Sequence, residues 1–391
     1  MKFSATARAL SDAVSLARVM GRTGDSQSLA HVAATGKAIS ITCTDKTVGT
    51  ISTNAAARIL EPGEAAVSPD RLAALVSTLG ADAIVEIEAT ASGMNVRCGT
   101  SRSRLAAVPA TDLPPAIAIQ DEIGRVDITC ADCLELLEPL AAADTGRSRR
   151  YLAGVFWHTV DDQLVAASTD GIRLIRTSVA ARSFSHDRSL IVPTDVANNL
   201  RRLLQKADSS RVIVRRSRTL IAFQTRAFNF TARLIDANFP AYERLIPPPA
   251  SNSVTCDRLK LLAAALRLSA AASSAEIALV ALSWRAGSHL DLYLARRPLD
   301  GADVIEAEAR GSAEVALSLP QFAALLKEFD SDQIQLETAN EQPVVIRGAG
   351  KLALIVRSKW SFPSCGAQTS RQSPNSNSDR YEHQASRSGA Y

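Results

Sequence analysis

The feature that most constrains this chain is that it says nearly the same thing three times. The stretches "AVSPDRLAALVSTL" from Ala66, "IVPTDVANNLRRLL" from Ile191 and "ALSLPQFAALLKEF" from Ala316 each read as a strand end, a proline and an amphipathic helix. Aligned on their prolines, Pro69, Pro193 and Pro320 stand 124 and 127 residues apart. A second set, "FSATARALSDAVSLA" from Phe3, "ITCADCLELLEPLAAA" from Ile128 and "VTCDRLKLLAAALRLSAA" from Val254, starts at intervals of 125 and 126. Thr44-Asp45 and Thr169-Asp170 lie 125 apart, and Pro114 and Pro240 lie 126 apart. Independent landmarks share one period, so the repeat is the plan of the molecule.

A unit this long is a whole domain, since solenoid turns repeat every ~20 to 50 residues. Within the units, period-2 alternation in "AIVEIEA" (83–89), "RVIVRR" (211–216) and "QIQLET" (333–338) marks strands bounded by Gly, Asp, Asn or Pro turns. Two helices on one side of an antiparallel sheet give an α+β class. The expected domains are 1–120, 121–250 and 251–360. Residues 361–391 are rich in Ser, Asn, Gln and Arg and nearly free of aliphatics, so that tail is expected to be disordered.

Composition narrows the function classes. With 46% hydrophobic and 21% charged residues the chain has the balance of a soluble globular protein. No run approaches the ~20 apolar residues that span a bilayer. The opening "MKFSATARALSDAV" brings its acid and serines too early for a signal peptide, so the cytoplasm and no membrane partner are expected. Six cysteines in a chain of this kind argue for reduced thiols. Cys130 and Cys133 form a CxxC without a second ligand pair, and the expected role is packing, one at a strand end and one under the following helix. Net charge is only +4, which excludes a histone-like polycation; residues 121–250, with 18 basic against 15 acidic, are the basic part.

Catalytic signatures are missing. "ATGKAIS" lacks the remaining residues of a phosphate loop, and His31, His158, His186, His289 and His383 form no HxxxH pair. Asp161-Asp162 in "TVDDQL" reads as a hairpin turn. The expectation is a protein without catalytic residues, cofactor or metal.

The middle repeat carries "RYLAGVFWHTVDDQLVAASTDGIRLIRT" and closes with "RLIDANFPAYERLIP". On these segments and the triplication, residues 1 to about 360 resemble the bacterial DNA polymerase III beta subunit, the replicative sliding clamp. The resemblance implies a ring: two three-domain chains joined head to tail as a homodimer, six domains around duplex DNA. It further implies a processivity factor that tethers DNA polymerase subunits and the clamp loader through short apolar peptides. Two other readings stay open: a divergent paralogue that regulates or decoys clamp partners, and a DNA-binding module that does not encircle duplex.

Lys and Arg on the inner helices should meet phosphates. The candidates are Arg8, Arg18, Arg71, Arg201, Arg202, Lys206, Arg258, Lys260, Arg267 and Lys327. "ADCLELLEPLAAA" departs from this lining, offering Asp132, Glu135 and Glu138. The loop after it, "TGRSRRY", compensates with Arg147, Arg149 and Arg150 beside Tyr151, which the family places near the single-strand junction. The resemblance also implies a partner-peptide pocket. Its walls would be Leu152, Thr169, Gly171, Ile172, Arg173 and Leu174, with Pro240, Arg244, Leu245, Ile355 and Arg357. Leu174, Leu245 and Ile355 are expected to supply its apolar area. Three departures point to a divergent or accessory member. Arg357-Ser358-Lys359 replaces a Met-Pro-Met-like end, Ile172 stands where a histidine is common, and Ala271-Ala272 lies at the dimer seam.

Overall fold

In the computed structural model, the described residues are 1–22, 29–90, 93–146, 148–180, 189–272, 278–294, 301–339 and 341–359. Residues 361–391 lie outside them, as do Arg147 and the whole 273–277 stretch that follows Ala272. Among the described residues there are six α-helices, two to each repeat: α1 (Ala7–Ala17), α2 (Pro69–Val76), α3 (Cys130–Glu135), α4 (Thr194–Lys206), α5 (Arg258–Ala271) and α6 (Leu319–Lys327). None is long and apolar enough to cross a membrane.

The helix starts are set by local chemistry. Thr6, Ser68, Thr129 and Asp257 each occupy an N-cap, their side-chain oxygens accepting from Ala9, Arg71, Asp132 and Lys260 N–H. At Thr129 the cap is reciprocal, because the Asp132 carboxylate accepts from Thr129 N at 3.2 Å. One of the three acids on α3 and its extension is therefore a cap. The strands read from alternation form as expected at Ile84–Thr90, Arg211–Arg216 and Gln333–Thr338. Asp161 and Asp162, both at positive φ, make the two-residue turn between paired Val160 and Gln163.

The strands form three antiparallel sheets, of five, nine and ten strands. Two of these sheets run unbroken from one repeat into the next. Gly49–Ala56 pairs with Phe228–Arg233, and Arg173–Val179 pairs with Lys351–Ile355. The first junction depends on Gly49, where a Cβ would collide with the Thr231 carbonyl. The last repeat departs from the others by fusing strands into one long ribbon, Leu279–Leu294 against Ala302–Ser318, bulged around Gly287.

The helices bury their apolar faces against these sheets. One core runs through the first two repeats, from Phe3 and Leu10 to Trp157, Phe223 and Phe230. A second fills the last repeat around Trp284, Phe322 and Phe329. Cys133 is fully buried, as its packing role requires; Cys130 opens α3 rather than ending the strand Gly124–Thr129. Burial pushes the Cys133 thiol well above the ordinary range, the opposite of what a reactive thiolate needs.

Candidate nucleic-acid and partner interface

The basic side chains fall into two groups. Arg8, Arg71, Arg150, Arg202 and Lys206 stand exposed, without an ion pair among the described residues. The others are engaged. Arg18 Nε lies 3.0 Å from Asp70, and Arg201 donates to the Leu137 carbonyl at 2.8 Å. On α5, Arg258 donates to the Ser331 carbonyl at 2.9 Å, Lys260 Nζ lies 3.1 Å from Glu306, and Arg267 Nε lies 2.8 Å from Asp303. The exposed bases thus lie on the helices and loop of the first two repeats and at Lys327 on α6, while on α5 Lys260 and Arg267 are already paired with acids of the neighbouring ribbon.

The arginine loop is divided in the same way. Arg150 and the 37%-exposed Tyr151 point outward from a short 3-10 turn at Arg150–Leu152. Arg149 turns inward. Its Nε sits 2.8 Å from the buried Asp144, and one terminal nitrogen lies only 2.9 Å from where a Cβ of Gly171 would be. Gly171, at φ +88°, is favoured by its backbone conformation, and the Arg149 guanidinium lies beside it. This arginine belongs to the edge of the partner-pocket residues, a position that sequence spacing did not suggest.

The turn that carries Thr169 to Leu174 is tightly organised. Asp170 Oδ1 accepts from Ile172 N at 2.9 Å and Arg173 N at 2.7 Å, and its Oδ2 lies 3.0 Å from the Arg173 guanidinium. Thr169 Oγ1 donates to the Arg173 carbonyl at 2.6 Å. Across from it the connector Pro240–Leu245 is pinned by Tyr242, fully buried, whose hydroxyl lies 2.7 Å from His158 Nε2. Phe239 stacks on Phe156 at 4.5 Å between centroids, completing an aromatic cluster.

This packing changes which pocket residues a ligand can reach. Leu152, Leu174 and Ile355 are 4%, 2% and 0% exposed, so Leu174 and Ile355 do not supply open apolar area. Leu174 instead packs with Tyr242 and Leu354 in a small core of its own. The apolar surface left open comes from Ile172, Leu245 and Val356, at 47%, 55% and 47%. Val356 was missed from sequence because it follows the last strand, where alternation no longer indicates facing. Arg357 donates to the Glu314 carbonyl at 2.9 Å and stays partly exposed. Arg244 and Pro240 are exposed on the connector.

Comparison with known proteins sets this geometry in a family. A family model described as the DNA polymerase III beta subunit, central domain, matches residues 138–241. A beta sliding clamp of Pseudomonas putida is 32% identical over 232 residues, which is 58% of this chain and 62% of that protein. One of Synechococcus elongatus is 25% identical over 323 residues, 81% of this chain and 86% of the relative. The chain is thus similar to beta sliding clamps, most clearly in its central repeat. Its match spans about three-fifths of the length of the Pseudomonas relatives. Among solved structures, a Pseudomonas aeruginosa sliding clamp bound to griselimycin superposes with a TM-score of 0.85 at 22% identity, covering 92% of this chain and 99% of that one. Caulobacter crescentus pol III beta gives 0.83 at 23% identity, with 92% and 100% covered. These likenesses establish the clamp fold, α+β with three antiparallel sheets, over nearly the whole described chain.

Proposed function

We propose that the chain is a sliding clamp: two copies close head to tail into a ring around duplex DNA and hold a DNA polymerase and other replication or repair proteins on it. The reading assigns no catalysis, in keeping with the non-catalytic clamps that are its homologues. It places the protein in the cytoplasm and takes residues 1–120, 121–250 and 251–360 as the three clamp domains.

The observation that carries it is the way the repeats join. Each internal junction continues a sheet across two repeats, and bare strand edges remain in the first and the last repeat. Ser101–Leu105 is the edge strand of the five-stranded sheet. At the other end, residues 302–306 pair on one side with the ribbon, and the strand Asn252–Asp257 covers only residues 307–310 on the other. Arg102 lies on the first edge, Asp303 and the 84%-exposed Glu306 on the second. Pairing the two edges between copies repeats the internal junction twice more and closes six domains with complementary charge.

A ring binds by topology. The test is retention: the protein loaded on nicked circular duplex should survive a high-salt wash and leave when the circle is linearised. A protein that binds by phosphate contacts alone leaves both forms in high salt. Equal release from circle and line would overturn the ring.

One observation favours an accessory rather than a general replicative role. Arg258, Lys260 and Arg267 are engaged within the chain, and Arg357 is fixed against Glu314 at the pocket. The reading is a clamp with DNA attraction weakened along α5 and a pocket tuned to its own set of peptides.

A further inference from the structure

The two internal junctions share a strand frame and are filled differently beside the connector. In the second junction, the cross-strand pair Phe156 and Ala167 is covered by the connector that follows. Phe239 stacks on Phe156 at 4.5 Å, and Tyr242 stands edge-on to both at 6.2 and 6.3 Å. In the first junction, the same pair 125 residues earlier is His31 and Thr42. The connector positions 126 residues before Phe239 and Tyr242 hold Leu113 and Ala116. The aspartate cap of the flanking turn recurs: Asp45 Oδ1 accepts from Thr47 N at 2.7 Å and Val48 N at 3.1 Å, as Asp170 Oδ1 does from Ile172 N and Arg173 N. The backbone frame is repeated and the aromatic plug is not.

What remains is a hollow of about 300 Å³ lined by Leu29, His31, Thr42 and Thr44 and by the Leu113–Ala116 connector. Pro114 and Pro115 give that wall a fixed backbone. Its floor offers an imidazole face held by Glu64, with Nε2 to Oε2 at 2.9 Å, beside the hydroxyls of Thr42 and Thr44. Those hydroxyls are themselves bonded to Ser52 and Thr50 at 2.9 and 3.0 Å, so the floor is set before any ligand arrives. A hollow with an apolar wall and an ordered polar floor suits an aromatic ring with a polar tip.

We propose that this hollow is a docking site for one aromatic side chain, tyrosine above all, carried by an extended peptide of a partner protein. The occupant is read from the chain's own second junction, where the same frame is filled by Phe239 and Tyr242. The partner supplies in trans what the first connector lacks. The site lies at the junction of the first two repeats, apart from the Ile172–Leu245 pocket, and requires neither ring closure nor DNA.

The test follows the His31 imidazole resonances by NMR, assigned with His31→Gln, during titration of the full chain. The probes are p-cresol and the peptide Gly-Ser-Tyr-Ser-Gly, with its Tyr→Ala counterpart as control. The expected result is a saturable shift with p-cresol and with the tyrosine peptide, and at least tenfold weaker binding of the alanine peptide. Ala116→Tyr refills the hollow from the connector and should abolish both shifts. Thr42→Leu narrows it from the sheet and should do the same, keeping the test decisive if the first variant folds poorly. No saturable shift, or unchanged binding in the folded variants, overturns the site. Binding of p-cresol without the tyrosine peptide overturns the peptide occupant.

Discussion

Lys351 Nζ lies 2.7 Å from the Glu138 carboxylate, and this pair ties the second repeat to the third. The lysine is 8% exposed, also donates to the Glu328 carbonyl, and stands over the Phe329 ring at 5.7 Å. A buried ammonium costs a great deal to desolvate, and here it is repaid by a carboxylate, a carbonyl and a ring. Glu138, which in sequence appeared only as an anion facing DNA, thus has a partner inside the protein.

The pair gives the first prediction. Lys351→Met removes the cation and leaves Glu138 partly buried without it, which should cost about 2–4 kcal/mol in chemical denaturation. Adding Glu138→Gln should restore a large part of that loss. Equal losses in the single and double variants would show that the pair carries no coupling across the junction.

The arginine loop gives the second. Because Arg150 points outward and Arg149 is held by Asp144, Arg150 rather than Arg149 should report on DNA. Arg150→Ala should reduce the salt slope of DNA binding by about one counterion, and Arg149→Ala should leave it unchanged. Arg149→Ala should instead alter partner-peptide affinity, since its guanidinium sits beside Gly171. A slope that falls equally with both variants would mean that the loop opens on DNA.

His158 gives the third. Burial holds its pKa below the ordinary histidine value, with Arg176 acting in the same direction and Glu243 opposing. The unfolded chain therefore binds the proton more readily than the folded one. The neutral imidazole's contribution is complete above the unfolded value of about 6.5 and is lost as pH falls from there toward the depressed folded value. The unfolding midpoint should drop between pH 7.5 and 5, and His158→Gln, which cannot titrate, should drop less. An identical pH dependence in both proteins would remove His158 from the account.

The repeat and the fold class were legible because they rest on helix periodicity and strand alternation, patterns that hold within a few positions of one another. The state of individual site residues was not. Lys260 and Arg267 read as free bases on a helix face, but the acids that meet them, Glu306 and Asp303, lie 46 and 36 residues away on another element. Leu174 reads as a pocket wall, and Tyr242, which covers it, arrives 68 positions later. Pairing of that kind is decided by tertiary packing, on which periodicity is silent.

That burial reshapes the last prediction, which concerns the partner pocket. Leu174 is 2% exposed, so Leu174→Lys would bury an unpaired charge and should destabilise the chain by several kcal/mol, making it useless as a binding probe. Ile172 and Leu245 are about half exposed, so Ile172→Lys and Leu245→Lys should leave the unfolding midpoint nearly unchanged. Either should weaken a short apolar-anchored peptide by about tenfold or more, the loss of roughly 1.5–3 kcal/mol of side-chain burial. Arg357 should set the peptide's preference. Its guanidinium donates to the Glu314 carbonyl with donors to spare, so a peptide with an acid beside its anchor should bind better than a neutral one. Arg357→Met should erase that preference and favour apolar anchors. Isothermal titration of paired acidic and neutral peptides measures both effects. Unchanged affinities in Ile172→Lys and Leu245→Lys would move the peptide site away from the second junction altogether.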